Sequence, residues 1–143
     1  MKKLLKSASA LTLLLVLLIG TLAMSSCKKD PLVIYDSDTT IVIRCEQTDG
    51  STALIDYMNA LKTDGDLDFT IENGMITSIN GIDNPADYSS CWMLYTSDEE
   101  MANSAWGTVL YNDAEYGSAI LGAGDLKIKE GCLYIWVFKE MSW

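Results

Sequence analysis

Aromatic side chains crowd the second half of the chain. Tyr88, Trp92, Tyr95, Trp106, Tyr111 and Tyr116 fall close together, and Tyr134, Trp136 and Phe138 alternate near the C-terminus. Indole and phenol faces offer a stacking surface for flat or sugar-like ligands. Trp92, Tyr95, Trp106, Tyr111, Tyr116 and Trp136 are therefore the candidate ligand-binding residues. The alternative is that these rings pack beneath a covering segment, since large exposed aromatic patches are uncommon on monomers. Other chemistry finds less support. The chain has no histidine, which removes Ser-His-Asp and Cys-His nucleophile pairs and His-ligated zinc. Asp64, Asp66 and Asp68 have the alternate spacing of a calcium loop, but Met75 stands at its twelfth position and the central glycine is missing. They read as a solvated turn. Asp98, Glu99 and Glu100 read as the acidic start of a helical turn, and no carboxylate stands out as an acid of raised pKa. The expectation is binding without catalysis, with no metal and no cofactor.

The 143 residues suit one domain, and their charge is unevenly placed. Twenty acidic residues against ten basic ones give a net charge of -10 and a pI near 4.2. No nucleic-acid partner is expected, because phosphate binding needs clustered Lys and Arg. Lys2, Lys3 and Lys6 precede an apolar run from Ala10 to Gly20. The run falls short of the roughly 20 residues of a membrane span and suits an export signal. Leu22-Ala-Met-Ser-Ser-Cys27 then sets small side chains before a thiol, in the manner of a bacterial lipobox. Residues 1–26 are expected to be removed, leaving Cys27 lipidated at the outer face of a bacterial membrane. Ordinary cleavage at Ala23-x-Ser25 is the alternative. Residues 27–37, with Pro31, read as a short tether, and residues 38–143 as the folded domain.

The elements that must position the rings follow from periodicity. Residues 41–46 alternate as a strand, with Ile41, Ile43 and Cys45 on one face. Residues 48–51 read as a turn and helix cap. Ala53, Leu54, Tyr57, Met58 and Leu61 then recur at helical spacing, and Gly65 is placed to end the helix. Residues 67–71 and 75–79 form a hairpin through Asn73-Gly74. Residues 91–96 give a fourth strand and residues 133–138 the last. Between them lies a long insertion, residues 97–131, with a hairpin turning at Asn112-Asp113. Insertions of this length usually serve function or cover something. The plan is α+β: a β-grasp-like mixed sheet with one packed helix and a long insertion before the last strand. Leu133, Ile135 and Val137 are expected to face the helix. The stripe Tyr134, Trp136 and Phe138 then faces the insertion, with Trp92, Tyr95 and Trp106 left open at its edge. Beyond Cys27 an odd set of cysteines remains, Cys45, Cys91 and Cys132, which allows one bridge in three pairings. Cys45 reads as a core residue. The preferred pair is Cys91–Cys132, since both open strands flanking the insertion.

Asn73-Gly-Met-Ile-Thr-Ser-Ile-Asn-Gly-Ile82, Cys91-Trp-Met-Leu-Tyr95, Gly117-Ser118 and Tyr134-Ile-Trp-Val-Phe138 together resemble the transcobalamin C-terminal-like domain of bacterial cell-surface proteins. The resemblance covers most of residues 38–140. It implies a small cap that contacts a corrinoid held against a helical-barrel partner. No helical-barrel segment accompanies it in these residues, so a protein partner would supply the other half of such a site. The resemblance therefore implies a surface-anchored module for a corrinoid or another flat ligand. The alternative is a protein-interaction or display domain with no small ligand.

Overall fold

A computed structural model describes residues 29–142; the expected signal segment and Cys27 lie outside the described residues. Strands β1 (Val33–Ser37) and β2 (Thr40–Arg44) precede helix α1 (Leu54–Asp64). Then come β3 (Phe69–Glu72), β4 (Met75–Ile79), β5 (Ile82–Asp83) and β6 (Ser90–Thr96). A 3-10 turn at Glu99–Met101 leads into β7 (Ala102–Tyr111), β8 (Ala114–Ala119) and β9 (Leu133–Glu140). They build a six-stranded sheet in the order β1-β2-β9-β6-β8-β7 and a three-stranded sheet β3-β4-β5.

Among the described residues the α+β class with one helix is as expected; the mixed sheet is not. Every described strand pair is antiparallel. β2 and β6 both finish where β9 begins, at Arg44↔Leu133 and Thr96↔Tyr134, so β9 runs against both neighbours. Part of the stretch read as a tether is also structured. Apolar Val33 and Ile34 pair with Ile43 and Val42, making β1 the edge of the large sheet.

Helix α1 buries Leu54, Met58 and Leu61, one stripe at i, i+4 and i+7. Its start differs from the expected side-chain cap. Asp49 accepts from the Ser51 N–H at 2.8 Å and closes a local turn instead. The first helical N–H groups, which have no partner within a helix, are taken by a returning loop: Leu54 donates to Leu126 O and Ile55 to Ala123 O. The end is as expected. Gly65 adopts φ 84°, its N–H reaches Lys62 O and the Asp66 N–H reaches Leu61 O, a Schellman closure. Asn73-Gly74 and Asn80-Gly81 each pair φ near 50° with φ near 80°, both forming tight hairpin turns.

The phase of β9 reverses the expected faces. Tyr134 and Trp136 belong to the main core with Ile41, Ile43, Cys45, Trp92, Leu94 and the helix stripe, and Phe138 packs against it. Each fully buried side chain of this kind stabilises by about 1.5–3 kcal/mol. Ile135 lies on the opposite face with Val42, Tyr95 and Tyr111, flanked by Leu133 and Val137. The β7–β8 hairpin of the insertion covers this aliphatic face, while Ala123, Leu126 and Ile128 further along the insertion pack in the main core with the aromatic stripe. β8 pairs with β6 only at Tyr95↔Ser118 and Thr96↔Gly117, so the rest of the β7–β8 hairpin is free to bring Val109, Tyr111 and Tyr116 over the sheet.

Candidate functional site

The six aromatic candidates do not form one surface. Trp92 and Tyr95 sit three residues apart on β6, an odd step that sends them to opposite faces. Trp92 is buried, with its Nε1–H donating to Ile82 O at 2.8 Å and its ring 5.4 Å from Phe138. Tyr95 is buried in the second core, and its hydroxyl accepts from Lys139 Nζ at 3.2 Å. Tyr111 is buried beside it and Tyr116 half-buried. Trp106 is 64% exposed, on the stretch of β7 where the register with β8 breaks between Asn103 and Thr108. The open edge expected from Trp92, Tyr95 and Trp106 is therefore not assembled.

Trp92 and Trp136 do come together, through an even step and a cross-strand register. Leu94 stands opposite Trp136, and Trp92 shares its face two residues away. These three side chains line a groove of about 270 Å³, closed on one side by the turn Gly74-Met75-Ile76 and on the other by residues 118–123. Met75, Ile120 and Leu121 are exposed apolar residues among its walls. Trp136 is only 5% exposed, and its Nε1–H has no acceptor among the described residues. A buried donor left unmade costs about 1–3 kcal/mol, and among the described residues this is the one buried side-chain polar atom without a partner.

The two sheets meet at this groove through a residue that the sequence did not single out. Asn84 donates from Nδ2 to Ile76 O on β4 and accepts at Oδ1 from the Trp92 N–H on β6, both at 3.1 Å. It thereby fixes the small sheet, which supplies Met75 and Ile76, against the strand that supplies Trp92 and Leu94. Nothing in a lone Asn-Pro loop distinguishes this role. Leu94 could have been found, since it shares the phase of Trp92.

A larger cavity of about 480 Å³ is lined by charged residues together with Met101, Leu121 and Ile128. Asp98, 6% exposed, accepts from the Glu100 N–H and pairs with Lys129 at 3.5 Å; Lys129 also reaches Glu100 at 3.1 Å. These carboxylates raise the Lys129 pKa, the Glu100 hydrogen bond most of all. Lys129 thus meets two carboxylates, and the acidic residues of the cavity wall, Asp49, Asp98, Glu100, Asp125 and Glu130, outnumber Lys127 and Lys129. Among the described residues no group of three or more His, Cys, Asp or Glu side chains could hold a metal ion, and no helix is long and apolar enough to cross a membrane.

The preferred disulfide is excluded by register. Cys91 stands opposite Lys139, at the far end of the β6–β9 ladder from Cys132. Seven residues of β9 separate Lys139 from Cys132, about 23 Å at strand rise, against the ~4.4–6.8 Å between Cα atoms that a disulfide spans. Cys45, Cys91 and Cys132 are free thiols in the structure, with Cys45 buried as expected. Comparison of the chain with protein-family models, with curated proteins and with solved structures gave no match.

Proposed function

We propose that the chain is a non-catalytic binding module whose groove takes one flat, apolar portion of a ligand carrying a hydrogen-bond acceptor. The observation that carries this reading is the buried, unpartnered Nε1–H of Trp136, a residue that lines a groove of mostly apolar side chains. The ligand's acceptor takes that N–H, and its apolar part lies against Trp92, Leu94 and Met75. A site of about 270 Å³ is below the ~300–1,000 Å³ that engulfs a drug-sized molecule. It therefore grips an edge, and a partner protein covers the remainder. A corrinoid, with a flat ring bearing amide carbonyls, is the ligand we assign, following the resemblance to transcobalamin C-terminal-like domains. We read the fold as β-grasp-like, on the support of one helix packed across a sheet whose last strand is interior; the antiparallel β2–β9 pair departs from that plan. Export and lipidation at Cys27, which the basic, apolar and small-residue succession supports, would place the module on the outer face of a bacterial membrane.

Calorimetric titration of the full chain with cobalamin and cobinamide tests this reading. Saturable binding is expected, weakened about fivefold, or ~1 kcal/mol, in Trp136→Phe, which keeps an aromatic ring and removes the donor. No heat of binding at millimolar corrinoid would reject it. A second reading, a protein-interaction module, is favoured by one observation: Trp106 and Leu110, 64% and 71% exposed on edge strand β7.

A further inference from the structure

We propose that Cys45 and Cys132 are joined by a cross-strand disulfide that pins the start of β9 to the end of β2. One residue beyond the pair Arg44↔Leu133, the Cys45 N–H donates to Cys132 O at 3.1 Å and the Gly131 N–H donates to Cys45 O at 2.8 Å. With Gly131 at φ 79°, this is a bulge in which Gly131 and Cys132 together oppose Cys45. Residues so opposed stand about 4.5–5.5 Å apart at Cα, inside the range of about 4.4–6.8 Å that a disulfide spans. Both side chains lie on the helix face of the sheet: Cys45 is part of the main core and Cys132 packs against it. Burial pushes the Cys45 thiol up, and the nearby Cys132 adds to the shift. Cys91 takes no part. It lies on the opposite face, where its thiol contacts the Met93 sulfur at 3.6 Å.

The chemistry is thiol–disulfide exchange. Cys132 is the more exposed of the two and meets the oxidant first, a disulfide of the glutathione or protein-dithiol class. Its sulfur displaces one thiol from that disulfide, forming a mixed disulfide. Cys45 then attacks the Cys132 sulfur and releases the second thiol. One S–S bond is broken and one formed, and the two protons and two electrons lost by the cysteines leave on the two released thiols. The bond holds the turn 129–132. That turn carries Lys129 and Glu130 into the wall of the charged cavity and gives the Lys129 N–H to the Tyr134 hydroxyl.

Peptide mapping of the full chain decides the matter. The protein is equilibrated in oxidised glutathione, alkylated and digested with trypsin without reduction. Cleavage after Arg44, Lys62, Lys127, Lys129 and Lys139 separates all three cysteines of the domain onto different peptides. The expected product is peptide 45–62 linked to peptide 130–139, lost on reduction, with Cys91 recovered alkylated. Recovery of Cys45 and Cys132 both alkylated, or a link from either to Cys91, would overturn the proposal. Thermal unfolding gives a second readout. Cys132→Ser should lower the midpoint relative to the parent chain without reductant, and the difference should shrink when reductant is added. An identical difference in both conditions would also overturn it.

Discussion

Trp136 and Asn84 show how one polar atom can define a site in a β-rich core. Asn84 makes its two side-chain bonds to backbone groups of different sheets. Asn84→Ala leaves the Ile76 carbonyl and the Trp92 N–H unmade, and the expected loss is about 1–3 kcal/mol of stability, read from the midpoint of denaturant unfolding. Trp106 contrasts with it. Being largely exposed, Trp106→Ala should change stability by no more than about 0.5 kcal/mol and leave corrinoid affinity unchanged, because the groove excludes it. Tyr134 sets the behaviour in base. It is fully buried, its hydroxyl accepts from the Lys129 N–H at 2.7 Å, and burial pushes its pKa up to about 12. The folded pKa is raised, so the unfolded chain loses this proton near pH 10 while the folded chain retains it. Stability therefore falls as pH rises from about 10 to 12, by up to about 2–3 kcal/mol. A stability profile flat across that window would contradict it.

At the scale of elements, local signals were legible and long-range phase was not. The helix, its glycine end and the Asn-Gly hairpin stand where short-range spacing puts them, because turn residues with positive φ and a 3.6-residue stripe act within a few positions. The face that β9 turns to the helix depends on its register with β2 and β6, which no local pattern contains. Period-two alternation marks two faces and leaves open which of them is inner. That one inversion scattered the expected aromatic edge and sent the β7–β8 hairpin of the insertion to the aliphatic side, while residues 123–128 stayed with the aromatic face. The cysteine pairing failed for the same reason, since chain position says nothing of which end of a ladder a residue occupies. Gly117 tests the placement of the insertion. A Cβ there would sit 3.0 Å from the Ser104 backbone nitrogen and 3.2 Å from the Ala102 Cβ. Gly117→Val should therefore force β8 from β7 and cost about 1–3 kcal/mol, with the Tyr95 and Tyr111 environment altered in near-ultraviolet circular dichroism. An unchanged midpoint would place the hairpin elsewhere.

At the scale of the whole molecule, the described residues form two sheets and one helix, with a groove at the seam of the sheets. The main core takes the helix stripe, the aromatic face of β9 and the inner residues of the small sheet, so the groove walls come from elements that fold together. Its preorganisation is what a capping module requires, because a half-site has little area to offset ordering costs on binding. The central claim is that a ligand acceptor meets the Trp136 N–H. The measurement that tests it most directly is the indole ¹H–¹⁵N spectrum of the full chain titrated with cobinamide, with the Trp136 signal assigned from Trp136→Phe. The account predicts a saturable downfield movement of the Trp136 signal while that of Trp106 stays fixed. A Trp136 signal that does not move at millimolar cobinamide, or a shift confined to Trp106, would contradict it.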